Sequence, residues 1–240
     1  MAKKLRMEEL ERKIELAPLT RQEIERSIRC KVLVVCEGSK TEPNYFKSFS
    51  MMRNSSSLVF DVLSDGGGIN TLAVVDEAIK LREKAEKKGE PYDSVWAVFD
   101  KDGFPDTDFD NAIMKASQNN INCAWSNEAF ELWYVYHFDN RSTSMKRTEY
   151  AAIITDRVRN RLGDKSYKYQ KNDKLMRDIL SRCGCDEVMT IRWAEKQACE
   201  FLDNRYHLHN PATTVYKLVR LLTGKDEAFN KMIKESVEEK

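Results

Sequence analysis

The sequence predicts an α/β protein, in which a parallel sheet is flanked by helices and is followed by a helical C-terminal region. Three observations favour this fold class. Short, continuous apolar runs of strand length recur between residues 31 and 126, and longer segments of helical period separate them. After about residue 140 only the helical period remains. Continuous apolar strands that alternate with helices are typical of a parallel sheet covered on both faces.

Four apolar runs are the predicted strands, namely KVLVVC, SLVFDVL, DSVWAVF and INCAWS. Each run is too short for a typical helix and is rich in β-branched or aromatic residues. Because all strands of a parallel sheet point the same way, their C-terminal ends should lie along one edge.

The helices between these strands have recognisable starts and stops. Thr41 caps the first helix, which carries Glu42 and Pro43 in its first turn. The second opens at residue 70 or 71 and stops at Gly89, and the third begins near Asp106. A fourth helix, NEAFELWYVYHF, follows the last strand directly. The order of elements is therefore a βαβα series.

The chain is predicted to divide into three parts. Residues 1–29 form a charged N-terminal tail or a loosely docked helix, residues 30–140 form the α/β domain, and residues 141–240 form a helical region packed on it. No low-complexity linker separates the second part from the third, which favours packing over a flexible tether.

The composition indicates an ordinary globular protein. The 240 residues are 41% hydrophobic and 33% charged, with a net charge of +1. No apolar run approaches the roughly 18 residues that a membrane span needs, and the N-terminus lacks the apolar core of a signal peptide. We therefore expect a cytoplasmic protein without a membrane partner. The six cysteines show no C-x-x-C spacing, which argues against a zinc module or a disulfide framework.

The stretch VLVVCEGSKTEPNYF almost contains a phosphate-binding loop of the Walker type. Such a loop needs two glycines so that backbone N–H groups can close around the phosphates. Val34 occupies the first glycine position and Ser39 the second. The sequence therefore excludes an ATPase of this class and leaves unexplained why Glu37 stands where an apolar strand stops.

Carboxylates follow two of the predicted strands. Glu37 ends the first strand, Asp100 ends the third, and Asp102 comes two residues later. If the two strands are neighbours, the three acids share one rim of the sheet. A hard divalent cation such as Mg²⁺ prefers such a setting. The alternative is that each motif is turn chemistry, since Asp-Lys-Asp-Gly is a good turn sequence.

Four ordered blocks, VVCEGSKTEPNYF, WAVFDKDGF, SNEAFELWYVYHF and NPATTVYKLV, resemble the RloB-like proteins of bacterial abortive-infection and restriction-linked defence loci. The resemblance runs over roughly residues 30 to 220. The N-terminal half of that family is in turn similar to the Toprim fold, a Rossmann-like fold of topoisomerases, primases and some nucleases. By this resemblance Glu37 would be the general acid/base, and Asp100 and Asp102 would bind Mg²⁺ or Mn²⁺. The resemblance implies a metal-dependent nuclease of anti-phage defence, controlled by an AAA- or ABC-type ATPase encoded nearby.

The block SNEAFELWYVYHF supplies a further candidate. Most of its apolar residues are simply core packing, as helical stripes usually are. Glu131 lies one turn into the predicted helix, close to the same rim of the sheet. We therefore predict it as a further metal ligand or a phosphate-orienting group.

A basic segment, residues 141–177, is the candidate nucleic-acid surface. It holds eleven Lys and Arg against four acids, a net charge of +7. Arg157 and Arg161 lie four apart on one helical face, and Lys168 and Lys171 lie beside tyrosines that would stack on bases. Lys40, in the loop after Glu37, is the remaining predicted contact. The alternative is a solvated helical face.

Two other functions stay open. The motif DKDGF is close to the Asp-x-Asp-Gly-Thr of haloacid-dehalogenase-type phosphatases, in which Asp100 would be the nucleophile, although Phe104 replaces the Thr and Glu37 is left without a role. The second alternative is a non-catalytic sensor or scaffold subunit of a defence complex. The sequence leaves the DNA or RNA substrate open, and a homo-oligomer is compatible with it.

Overall fold

We describe the fold from a computed structural model, which covers residues 30–51, 58–64 and 70–238. The predicted N-terminal tail, residues 1–29, lies outside the described residues. The described residues contain five strands: β1 Cys30–Cys36, β2 Leu58–Ser64, β3 Ser94–Asp100, β4 Asn122–Asn127 and β5 Ala212–Thr213. The helices are α1 Thr41–Met51, α2 Thr71–Lys87, α3 Asp106–Gln118, α4 Glu131–Val135, α5 Tyr150–Leu162, α6 Met176–Arg182, α7 Glu187–Ala198, α8 Val215–Leu222 and α9 Glu227–Glu238.

The strands form one sheet in the order β2-β1-β3-β4-β5. The first four strands are parallel, with Val34 of β1 opposite Val62 of β2 on one side and opposite Trp96 of β3 on the other. The chain therefore turns outward after β1 to form β2 and then returns to the other side of β1 to form β3. This reversal places the topological switch point of the sheet between β1 and β3.

Helices cover both faces of the sheet. The alternate residues Leu33 and Val35 pack with α2 and α3, whereas Val32 and Val34 pack with α1 and with helices of the C-terminal region. These β1 residues are at most 1% exposed, because a parallel strand between two helical layers has no solvated face. The predicted α/β class, with a Rossmann-like parallel sheet and a helical C-terminal region, is confirmed.

The starts of the helices follow the predicted chemistry in part. Asn70 caps α2, where its side chain accepts a hydrogen bond from the Ala73 N–H at 3.0 Å. The helix predicted over residues 127–138 is shorter, since α4 begins only at Glu131. Asn127 instead ends β4, and its side-chain amide donates to the backbone carbonyl of His207 at 2.8 Å.

The C-terminal region does more than pack on the sheet. The sequence shows no strand signal after residue 140, yet Ala212 and Thr213 pair antiparallel with Asn127 and Ser126. Two residues are too few to produce a periodic pattern, so this strand was missed. The hydrophobic cluster that contains Val32 and Val34 of β1 also includes residues from both sides of position 140, so the two regions share one core.

None of the helices within the described ranges is both long enough and apolar enough to cross a membrane.

Candidate active site

Two strand ends meet at the switch point between β1 and β3. Glu37 follows β1 directly, and its backbone N–H donates to the Val98 carbonyl at 2.9 Å. The N–H of Asp100, the last residue of β3, donates to Glu37 Oε2 at 3.2 Å. The two acids therefore lie side by side at the C-terminal edge, where open α/β sheets bind their ligands.

A cavity of about 230 Å³ opens beside these strand ends. The β1–α1 loop, the start of α4 and two segments of the C-terminal region form its walls. Three acids lie along its lining together with three basic residues: Glu42, Asp100 and Glu131, and Lys40, Arg147 and Lys171. Four of these six were predicted from the sequence as site residues, whereas Glu42 and Arg147 were not.

Asp100 is the most constrained of the acids. Its side chain is 8% exposed, and its Oδ1 atom has no hydrogen-bond partner among the described residues. Burial raises the pKa of Asp100 well above its usual range, and the charges of Glu42 and Glu131 raise it further. The Phe130 backbone N–H donates to the carboxylate and opposes this shift, but Oδ1 stays unpartnered. A buried carboxylate with an unpartnered oxygen beside two other acids is unfavourable unless a proton or a cation compensates it.

Glu42 is a site residue that the sequence reasoning treated only as part of a helix start. Its side chain is 6% exposed, and burial, together with the charge of Glu131, raises its pKa. The carboxylate lies against Gly38, where an added Cβ would be 2.8 Å from Glu42 Cδ. The available signal was its position in the first helical turn after a strand that already ends in an acid, which places it at the same edge.

Glu131 lies at the start of α4 and is 3% exposed. Two groups from one segment of the C-terminal region contact its carboxylate. The Tyr169 hydroxyl donates to Glu131 Oε1 at 3.1 Å, and Lys171 Nζ lies 3.6 Å from the same oxygen. This wall is held to α1, because Thr41 Oγ1 donates to the Lys171 carbonyl at 2.6 Å.

Glu37 is half-buried and stands beside the cavity. Burial raises its pKa to about 7, although the hydrogen bond from the Asp100 backbone opposes this shift. The charges of Glu42 and Asp102 raise the pKa further. Glu37 can therefore gain and lose a proton near neutral pH.

Asp102 lies in the turn after β3, and its side chain forms an ion pair with Arg147. Its backbone N–H donates to the Glu128 carbonyl at 3.1 Å, while the Glu128 carboxylate accepts from the Arg147 N–H at 2.6 Å. Arg147 is thus fixed from two sides at the mouth of the cavity. The three acids that were predicted to share one rim do not all line the cavity. Asp100 lines it, whereas Glu37 and Asp102 lie beside it.

The chemistry of the lining suits a hard divalent cation. In the described part of the chain, no three His, Cys, Asp or Glu side chains converge as a complete set of metal ligands. Mg²⁺ does not require such a set, because it keeps several waters and binds through one or two carboxylates. The unpartnered Asp100 oxygen, with Glu131 and Glu42 beside it, meets that requirement.

The remaining predicted nucleic-acid contacts lie outside the cavity. Arg157 is paired with Asp139, with Nε 3.0 Å from Oδ2. Arg161 and Lys168 are exposed but are not part of the lining. The expected stacking of bases on Tyr169 is wrong, since this residue is buried, with 6% of its surface exposed.

The charge of the basic segment is therefore only partly available to a ligand. Arg147, Arg157 and Arg177 each pair with an acid from outside the segment. Lys171 combines both roles, since it contacts Glu131 and its side chain is 58% exposed at the mouth of the cavity.

Comparison with known proteins identifies a family but no individual relative. No curated protein and no solved structure matches the chain. The family model described as RloB-like protein matches residues 32–222, a range that runs from within β1 to the end of α8 and contains every residue of the cavity lining. This match covers most of the chain, and the protein belongs to the RloB-like family.

Proposed function

We propose that the protein is a metal-dependent phosphodiesterase that cleaves nucleic acid in bacterial anti-phage defence. One observation carries the proposal: Asp100, with an unpartnered carboxylate oxygen, is buried beside Glu42 and Glu131 at the switch point of the sheet, below a cationic mouth. Buried acids with cations around them suit a bound divalent ion and a phosphate together.

Asp100 and Glu131 are the residues that would hold Mg²⁺ or Mn²⁺, with Glu42 beside them. The bound cation would neutralise charge on the non-bridging phosphate oxygens. Tyr169 and Lys171 orient Glu131 through its Oε1 atom. Asp102, the other predicted metal ligand, holds Arg147 instead.

Glu37 is the proposed proton-transfer group. A general acid or base works best when its pKa is near the operating pH, and burial raises the pKa of Glu37 to about 7. The hydrogen bond from the Asp100 N–H fixes its carboxylate beside the metal-binding acids. Glu37 would accept the proton of the attacking water or donate one to the leaving oxygen.

Three cations would receive the phosphate. Lys40 and Lys171 are exposed at the mouth of the cavity, and Arg147 is half-buried there. Positive groups at fixed positions stabilise the charge that develops on a transferring phosphoryl group. Arg161 and Lys168, exposed in the same basic segment, would contact neighbouring phosphates of the nucleic acid.

The alternatives are weaker on physical grounds. A phosphatase that used Asp100 as its nucleophile would leave Glu37 without a role, and Phe104 stands where its motif has Thr. A scaffold role leaves the buried acids unexplained. The ATPase partner comes from the family resemblance, and the test below includes it.

The test is cleavage of labelled DNA and total RNA by the purified protein with Mg²⁺, with Mn²⁺ and with EDTA. Each reaction is run with and without the product of the neighbouring gene, the proposed ATPase partner. We expect metal-dependent cleavage that Asp100→Asn abolishes and Glu37→Gln lowers by at least about a hundredfold. Glu83→Gln is the matched control, because this exposed acid lies on α2, away from the cavity.

Two results would overturn the proposal. Cleavage that persists in Asp100→Asn would belong to another site or to a contaminant. If folded protein cleaves nothing under any of these conditions, the scaffold function would be favoured. Cleavage only with the ATPase present would support both the catalytic site and the partner.

A further inference from the structure

The depth of the acids limits which nucleic acids can reach them. Asp100, Glu42 and Glu131 are 8%, 6% and 3% exposed, so none of them projects from the surface. A phosphate must enter the cavity to approach them. The restriction comes from the fold, because these acids lie at a strand end and at the starts of two helices.

The cavity is small for a nucleic acid. Its 230 Å³ lies below the range of about 300–1,000 Å³ that is typical of pockets for drug-sized ligands. A cavity of this size has room for a phosphate group but is too small to enclose a base pair.

The walls of the cavity are tied together on the side of α1. Thr41 Oγ1 donates to the Lys171 carbonyl at 2.6 Å, and Asn44 Nδ2 donates to the Asn172 carbonyl at 3.2 Å. Tyr169 of the same segment binds Glu131 from below. The mouth is therefore framed by two chain segments that hydrogen bonds hold at a fixed separation.

A continuous duplex does not fit this frame. Its bases are paired and stacked, so one phosphate can be drawn into a recessed cavity only if its nucleotide leaves the helix. Enzymes with recessed sites act on single strands or draw the target nucleotide out of the helix, which costs unpairing and unstacking energy.

From this geometry we propose that the site accepts phosphodiesters of single-stranded or unpaired segments and excludes those of continuous duplex. The inference rests on the proposed nuclease function and names its substrate class. Among the described residues that line the cavity, Phe130 is the only aromatic one, and it is 1% exposed. The site therefore grips the phosphate rather than a base, and it has little preference for base identity.

The experiment compares one labelled strand of about 12 nucleotides in three forms. The strand is presented alone, in a blunt duplex, and in a duplex with an unpaired internal loop. Cleavage is followed with Mg²⁺, and binding is followed by fluorescence anisotropy with Ca²⁺. We expect the single strand to be cleaved and bound at least about tenfold better than the blunt duplex. Cuts in the third form should fall within the loop.

Two lysine variants separate specific entry into the cavity from general charge attraction. Lys171→Met removes a cation at the mouth and should lower single-strand binding at least about fivefold. Lys84→Met removes an exposed lysine on α2, outside the cavity lining, and should leave binding unchanged. Equal losses in the two variants would mean that the strand does not enter the cavity.

The outcomes distinguish the two proposals. Equal cleavage of single strand and blunt duplex would overturn the single-strand inference and keep the nuclease function. Selective, Lys171-dependent binding without cleavage would support the inference and count against the nuclease function. If the strand is neither bound nor cleaved in any form, both are wrong.

Discussion

At the residue scale, the candidate site is defined by acids that the fold holds in an unfavourable environment. Glu37, Glu42 and Asp100 all have raised pKa values, and burial is the largest cause in each case. Structural acids at turns are normally exposed or paired with a cation, so these shifts support the functional site that we propose. The loss of stability that they cause in metal-free protein should be measurable.

Glu37 should make the stability of metal-free protein depend on pH. Its pKa is about 7 in the folded chain and 4.5 when unperturbed, so the folded state favours the protonated form. That stabilisation is complete below pH 4.5 and is lost as the pH rises through 7. As the pH rises from 5 to 8, the free energy of unfolding of Glu37→Gln should therefore increase by about 1–2 kcal/mol relative to that of the wild type. This value is reduced because Glu37 is partly exposed.

Chemical denaturation in EDTA at several pH values measures this difference. Glu83→Gln, on the exposed face of α2, should show no such change with pH. If the difference in the free energy of unfolding between Glu37→Gln and wild type stays constant with pH, Glu37 does not titrate in this range.

Gly38 should be required for the site rather than for the fold. A Cβ at this position would lie 2.8 Å from Glu42 Cδ, so Gly38→Ala must displace the Glu42 carboxylate. The displaced group is the end of a flexible side chain, so we expect at most about 1 kcal/mol loss of stability. Metal-dependent cleavage should fall at least about tenfold, since small displacements are costly in catalytic sites.

Gly103→Ala is the matched control, because an added Cβ there would meet no atom within 4 Å. Thermal unfolding and cleavage rates are measured for both variants. Full activity of Gly38→Ala would show that the position of Glu42 is unimportant for catalysis.

At the element scale, the sequence predicted the parts with strong periodic signals. The four parallel strands and the helices α1 to α3 lie where the apolar runs and the segments of helical period indicated, although Thr41, the predicted cap of α1, is its first residue and donates to the Lys171 carbonyl. The positions of the strand ends also predicted that Glu37 and Asp100 lie close together, and a hydrogen bond joins them. A neighbouring pair of parallel strands and one sheet edge are enough to predict that proximity.

The remainder depends on contacts that a linear pattern does not contain. Glu42 is in the site because α1 begins close to Glu37, and Arg147 is there because Asp102 and Glu128 bind it across more than 18 residues of chain. Tyr169 looked like an exposed stacking ring, yet its hydroxyl binds buried Glu131. Such long-range pairings follow from tertiary packing, which local propensity does not determine.

The edge of β4 supplies a test at this scale. Thr214 Oγ1 accepts from the Trp125 N–H at 2.9 Å and donates to the Cys123 carbonyl at 3.1 Å, so its side chain replaces a neighbouring strand. Thr214→Val keeps the shape but leaves both backbone groups unpaired. We expect a loss of about 2 kcal/mol in the free energy of unfolding.

Thr223→Val is the matched control, because it removes a threonine hydroxyl whose loss leaves no backbone group unpaired. Its hydroxyl donates to the Val219 carbonyl, which also accepts the Thr223 backbone N–H at 2.9 Å. The carbonyl keeps that partner after the substitution, so the loss should stay below about 0.5 kcal/mol. Equal losses in the two variants would show that Thr214 does not act as a substitute strand.

At the scale of the whole molecule, the site is assembled from both halves of the chain. Asp100 and Glu42 come from the α/β region, whereas Arg147 and Lys171 come from the helical region. The same holds for the core, in which Val34 of β1 belongs to one cluster with Leu218 of α8. The division at residue 140 remains a prediction, and the shared core argues that the two regions depend on each other.

A chain that ends at residue 140 should therefore fail to fold cooperatively. It would expose the sheet face that α5 to α8 cover, lose β5 and leave the outer edge of β4 unpaired. Loss of a packing layer removes far more than the 5–15 kcal/mol by which a domain is typically stable. Urea titration followed by circular dichroism and tryptophan fluorescence should show no sigmoidal transition.

A chain that ends at residue 225 is the matched control. It lacks α9 and the few residues that flank it, retains the whole cavity lining, and loses from the core the half-buried Phe229 and the buried Ile233. This shorter chain should unfold in one transition at lower urea and should keep metal-dependent cleavage. If the chain ending at 140 also unfolds cooperatively and binds Mg²⁺, then the α/β region is an independent domain. In that case, the cations at positions 147 and 171 would serve the substrate alone and not the fold.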